Sequence, residues 1–203
     1  MLWLILACSQ PSPERNALDE RVEFGVAWKA CKGLVNAEKA GQCALDVLQT
    51  RNVVSAERCA EISSERSRSE CFFVAAETGK GSLSEQYQLC SKAGEYARDC
   101  GFHLWQHDLM ALEPGNPATA DGIRIRAGTL FRKHRPFAEP LDYSFEETFW
   151  TWFWGAWWEQ RAAGMPGDKS ACLWWTDSSD RTECERWAEA AAKWMSTRNP
   201  PAG

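Results

Sequence analysis

From residue 20 to residue 110 the chain alternates apolar stretches of helical length with short polar turns, and it contains no proline in that span. This is the pattern of helices joined by tight connections. Between residues 111 and 142 the texture changes. Pro114, Pro117, Pro136 and Pro140, with Gly115, Gly122 and Gly128, mark a connector around a short element near residues 121–134, and this is where the sequence predicts a boundary. From 143 to 198 the apolar positions become aromatic, and nine of the twelve tryptophans fall between residues 143 and 197. Asn199-Pro-Pro-Ala-Gly203 reads as a frayed tail. The pattern predicts an all-α chain, an array of antiparallel helical hairpins followed by a Trp-rich helical part.

The densest aromatic run is Phe145-Glu-Glu-Thr-Phe-Trp-Thr-Trp-Phe-Trp-Gly-Ala-Trp-Trp158. On a helical wheel its rings cover roughly two-thirds of the circumference, more than one core-facing stripe requires. Thr148, Thr151, Gly155 and Glu159 form the remaining strip. Such a helix is buried on two sides, or it turns surplus indole toward a partner, a sugar or a lipid interface. Burial is the first expectation; Trp150, Trp154, Trp157 and Trp158 are the candidates for a ligand or partner surface.

Cysteine spacing adds a covalent plan. Cys31 and Cys43, Cys59 and Cys71, and Cys172 and Cys184 are each separated by eleven residues, and Cys90 and Cys100 by nine. Gly33 and Asn36 stand within the first couple and Gly94 within the third. Ser67-Arg-Ser-Glu70 and Asp180-Arg-Thr-Glu183 read as capping boxes immediately before the second cysteine of their couples. In each couple one helix therefore ends and another begins, and cysteines on either side of the break can reach the separation a disulfide needs. Local pairing across four hairpins follows, each closure contributing on the order of 3 kcal/mol in the loop-entropy model. Arg68-Ser-Glu-Cys71-Phe-Phe-Val-Ala75 parallels Arg181-Thr-Glu-Cys184-Glu-Arg-Trp-Ala188, so the hairpin behaves as a repeated unit. The analogy is with stacked solenoid repeats, although no named repeat signature fits the spacing. The short Cys knuckles of zinc fingers and ribbons do not occur.

The ninth cysteine belongs to a different pattern. Met1-Leu-Trp-Leu-Ile-Leu-Ala-Cys8 is an apolar leader that stops at a cysteine and gives way to the polar, Pro-broken Ser9-Gln-Pro-Ser-Pro-Glu14. This N-terminus resembles a bacterial lipoprotein precursor, with Leu6-Ala7-Cys8 at the processing site. The resemblance covers the first eight residues. It implies that residues 1–7 are a signal-like leader, that Cys8 is the lipidated (palmitate-type) residue, and that residues 8–19 are a tether. It also implies a place in the bacterial cell envelope, with Ser9 after the cysteine favouring the outer membrane. The organisation expected is then leader 1–7, lipidated tether 8–19, Cys-hairpin array 20–110, connector 111–142, Trp-rich hairpin region 143–198 and tail 199–203.

Charge and candidate chemistry narrow the function classes. The 203 residues carry 28 acids against 23 Lys and Arg, a net charge of -5 with a pI near 5.3, which argues against nucleic acid as a partner. Mean hydropathy is -0.46, and no apolar run approaches the roughly 18 residues of a spanning helix. His103 and His107 stand one helical turn apart and would share a face, the arrangement of two metal ligands, zinc being the ion they would suit. Leu104 stands where a zincin carries its Glu, and only Asp108 or the distant His134 could add a ligand. No cofactor is otherwise expected. Arg132-Lys-His-Arg135, with Arg124 and Arg126 upstream, is the one basic cluster, read as solvated or as touching anionic headgroups. Gly79-Lys-Gly-Ser82 lacks the glycine spacing of a phosphate loop, and oxidised cysteines offer no thiolate nucleophile. The leading expectation is a non-catalytic envelope lipoprotein acting as a protein–protein interaction or scaffold module. The alternative is a glycan-binding or metal-dependent hydrolytic protein whose cleft contains His103, His107 and tryptophans.

Overall fold

The computed structural model describes residues 18–78, 80–113, 120–155 and 169–198. The leader, Cys8 and most of the tether, Trp157 and Trp158, and the tail all lie outside the described residues. Every regular element described is helical: α1 Phe24–Lys32, α2 Ala37–Thr50, α3 Ala56–Ala60, α4 Glu65–Glu77, α5 Leu83–Ser91, α6 Ala97–Met110, α7 Ala120–Ala138, α8 Phe145–Thr151 and α9 Ser178–Arg198, with 3-10 turns at Gly94–Tyr96 and Lys169–Trp174. The chain divides into two compact units, Met1–Cys100 and Gly101–Gly203, with the boundary inside α6.

All eight cysteines expected to pair locally do so. Cys31–Cys43, Cys59–Cys71, Cys90–Cys100 and Cys172–Cys184 have Cα separations of 5.4, 5.4, 5.3 and 5.5 Å, within the range a disulfide prefers. The four hairpins share a backbone device. The N–H of the third residue after the first cysteine donates to that cysteine's carbonyl: Leu34 to Cys31 at 3.1 Å, Ile62 to Cys59 at 3.1 Å, Ala93 to Cys90 at 2.9 Å and Trp175 to Cys172 at 3.3 Å. This bond tightens the end of the first arm and turns the chain. In three hairpins the fifth residue then caps the second arm. Asn36 accepts from the Lys39 N–H at 3.0 Å, Ser64 from Ser67 at 3.3 Å, and Asp177 from Ser179 and Asp180 at 2.8 and 3.1 Å, each supplying an acceptor to helical N–H groups that lack one. The shorter third hairpin replaces the side-chain cap with the 3-10 turn, entered through Gly94 at φ 56°, a conformation open to glycine.

The caps correct the sequence reading by one turn. Ser67 and Asp180 do not cap; Ser64 and Asp177 do, three residues earlier. Two acceptable cap residues spaced by three produce overlapping signatures, and the backbone uses the first. A capping box does form at Ser82 and Glu85, where the Ser82 hydroxyl accepts from the Glu85 N–H at 3.3 Å and the Glu85 carboxylate accepts from the Ser82 N–H at 2.6 Å.

In the first unit the core is mainly small and aliphatic side chains around three disulfides: Ala27, Leu45, Val47, Leu48, Ile62 and Ala76 are buried with the cysteines, joined by Phe72 and Tyr87. Helix α2 packs on α4 by close approach at Gly41, where a Cβ would stand 2.5 Å from the Ser64 Cβ and 2.9 Å from the Ser67 Oγ. Arg51 ties down the segment ahead of α1, donating to the carbonyls of Asp19, Glu20 and Val22 at 2.7 to 2.9 Å.

In the second unit the core is aromatic. Phe131 stacks on Phe145 at 5.3 Å, Trp105 lies 5.4 Å from Phe149, and Trp154 meets Trp175 edge-on at 5.0 Å, arrangements that add to the burial of the rings. The span read as a connector holds the 19-residue helix α7. Its buried positions Ile123, Ala127, Phe131, His134 and Ala138 recur at three- and four-residue spacing, so burial of that stripe outweighs the helix-breaking signals. Pro136 falls in the last turn, where little helix remains to be disrupted. The unit boundary accordingly lies at Cys100–Gly101, upstream of 111–142.

Candidate functional site

The second unit contains a cleft of about 420 Å³ framed by three helices. Helix α8 presents Glu147, Trp150 and Thr151, positions that share one helical face. The backbone continues beyond α8 as a wider π-type turn over residues 152–155, which carries Trp154 and Gly155. Helix α9 presents Ser179, Asp180, Glu183, Arg186 and Trp187, and α7 contributes Arg124.

Asp180, released from capping because Asp177 fills that role, is the anchor of the cleft. Its Oδ1 accepts from the Arg124 Nε at 3.1 Å, and the Arg124 guanidinium carbon lies 4.3 Å from the Trp150 ring centroid. One arginine thus joins α7 to α8 and α9 by a charge-assisted bond and a cation–π contact. A second pair sits beside it: the Arg186 Nη2 donates to the Glu183 Oε2 at 2.7 Å while its guanidinium lies 5.3 Å from the Trp187 ring. Trp187 reaches the turn after α8 at Gly155, where a Cβ would be 3.4 Å from the Trp187 Cε3. Glu147 has no hydrogen-bond or ion-pair partner among the described residues.

The tryptophan candidates separate. Trp150 is half-buried and lines the cleft, whereas Trp154 also lines it but is only 4% exposed and belongs to the aromatic core. The Trp154 ring also packs against Phe153 and Trp175. Trp157 and Trp158 lie outside the described residues. Arg124, Asp180, Glu183 and Trp187 are cleft residues the sequence reading did not gather. The signals were indirect: Asp180 and Glu183 stood in a capping motif, Arg124 beside a basic cluster and Trp187 in the repeated hairpin segment.

The histidines also separate. His103 and His107 are both exposed on α6, and no group of three His, Cys, Asp or Glu side chains suited to a metal occurs among the described residues. Asp108 turns instead to α7, where its Oδ2 meets the His134 Nε2 at 3.0 Å and the Lys133 Nζ at 2.6 Å. His134 is fully buried, and that burial lowers its pKa against the opposing pull of Asp108. For Asp108 burial acts upward, yet the bonds from Lys133 and His134 prevail and hold its carboxyl below the usual carboxylate range. The basic cluster is consequently dispersed: Lys133 serves Asp108, Arg135 pairs with Glu139 at 2.7 Å, and Arg132 donates to the Thr129 hydroxyl at 3.1 Å.

A hollow of similar volume in the first unit is lined by Ser55, Glu57, Thr78, Lys80, Gln88 and Lys92 among others, and has no aromatic wall. Its Glu85 is already engaged in the capping box. No protein-family model, no curated protein and no solved structure matches the chain.

Proposed function

We propose that the chain is a non-catalytic lipoprotein of the bacterial envelope, anchored through Cys8 and acting by binding, with a protein partner engaged by the hairpin array. One observation carries the reading: eight of the nine cysteines close on one another in four local disulfides, so Cys8 stands outside them and directly after Leu6-Ala7. Four structural disulfides suit an oxidising compartment. Clamped hairpins present rigid surfaces that lose little entropy when a partner docks. No described helix is long and apolar enough to cross a membrane.

Peptide mass mapping of the protein taken from its native membrane tests the reading. The N-terminal peptide is expected to begin at Cys8 and to carry diacylglycerol, and Cys8→Ser is expected to move the protein to the soluble fraction. An unmodified Cys8 overturns the anchor. In-cell cross-linking of the anchored protein is expected to trap a protein partner in the envelope.

A further inference from the structure

We propose that the cleft between α7, α8 and α9 is a binding site for a neutral saccharide. The inference goes beyond the function proposed above and is independent both of the anchor at Cys8 and of the protein partner.

Size comes first: about 420 Å³ falls within the roughly 300–1,000 Å³ of small-molecule sites. Charge then selects the class. Arg124 is paired with Asp180 and Arg186 with Glu183, so an anion would find both positive charges already compensated while facing the carboxylate of Glu147. A cation would meet Glu147, but the guanidinium groups of Arg124 and Arg186 already lie against the Trp150 and Trp187 rings and repel a second positive charge. A polyhydroxylated ligand without net charge escapes both penalties. Its hydroxyls donate to Glu147, Asp180 and Glu183 and accept from the arginines, while its C–H faces suit the indole walls. Glu147, exposed and without a hydrogen-bond or ion-pair partner among the described residues, is the carboxylate most open to such a ligand.

The test uses the full-length oxidised protein, as wild type and as Cys8→Ser. Calorimetry and tryptophan fluorescence follow titration with cellobiose, maltose and N,N'-diacetylchitobiose, with choline and glutamate as charged controls. At least one disaccharide is expected to bind saturably and to shift the tryptophan emission, equally in both forms. Glu147→Gln, which removes no hydrogen bond or ion pair of the described residues, is expected to weaken that binding about tenfold with a melting temperature close to that of the wild type. Trp187→Phe is expected to weaken it as well, while His107→Ala, outside the cleft, binds as wild type. The proposal is overturned if no disaccharide binds, if choline or glutamate binds more tightly, or if Glu147→Gln and Trp187→Phe both leave affinity unchanged. A lost anchor with intact disaccharide binding would remove the lipoprotein reading alone.

Discussion

The hairpin closed by Cys59–Cys71 and the hairpin closed by Cys172–Cys184 are built alike and used differently. In both, the cap stands five residues after the first cysteine, and an arginine four residues further on reaches back to the same carbonyl. Arg68 donates to Ile62 at 3.0 Å and Arg181 to Trp175 at 2.8 Å. The divergence begins at the residue three positions after the cap. In the first unit it is Ser67, almost fully buried against Gly41 of α2, and the interface closes on small side chains. In the second it is Asp180, which reaches across to Arg124 and leaves a cleft walled by tryptophan. One supersecondary unit supports a sealed core or an open site according to the bulk and polarity of that position and of the helix facing it.

Removing the clamps tests the shared part of the comparison most severely. Replacing Cys59 and Cys71 together by alanine, or Cys172 and Cys184 together, is expected to cost about 2–4 kcal/mol in chemical denaturation. Both bridges span a sequence separation of 12, so chain entropy is the same and any difference between the two costs isolates native packing. Wild-type stability in either double variant would refute the clamp.

The next test separates the closed interface from the open one. Gly41→Ala is expected to destabilise the protein by about 1–3 kcal/mol, because its Cβ would overlap the Ser64 Cβ at 2.5 Å and the neighbours are backbone-proximal. Gly155→Ala, whose Cβ would meet Trp187 at an ordinary 3.4 Å, is expected to stay within about 0.5 kcal/mol of wild type. Equal effects in urea titrations would erase the distinction between the two interfaces.

Arg68→Ala and Arg181→Ala are each expected to cost about 1.5 kcal/mol, the lower range for a hydrogen bond to a charged donor. Similar losses by calorimetry would support a common device, and a loss confined to one would show that the other arginine is ornamental to its hairpin.

The smallest effect is a pH dependence centred on the His134–Asp108 contact of the second unit. His134 has a folded pKa lowered from 6.5 by burial, so the unfolded chain binds its proton first. The associated stability is complete above about pH 6.5 and is lost as pH falls below it. Asp108, also lowered, contributes stability present above its unfolded value near 3.8 and lost at more acidic pH. Urea midpoints are expected to fall between pH 7 and pH 5, and His134→Gln is expected to flatten that slope. A midpoint that rises on acidification would contradict the burial of a neutral imidazole.

The hairpins were legible because their partners are near in sequence: a short loop with a break in it brings two cysteines together with few alternatives. The caps were legible to within a turn, since Ser64 and Ser67, like Asp177 and Asp180, offer the same chemistry three residues apart. Helix α7 was obscured by its prolines and glycines, whose local preference was outweighed by the apolar stripe from Ile123 to Ala138. The histidine pair was legible as spacing, but its possible third ligand, Asp108, was engaged instead by Lys133 and His134.

By itself the sequence determined the all-helical class, the four disulfides and the aromatic character of the second core. Each of these depends on spacing within a few turns of chain or on composition, where local propensity and short loop closure decide. Tertiary structure decided which serine or aspartate caps and which packs, that Trp154 is buried while Trp150 borders a cleft, and that Arg124 meets Asp180. Those outcomes depend on which helical faces come together across long stretches of chain, and that is set by the burial of whole faces and not by any residue's neighbours in sequence.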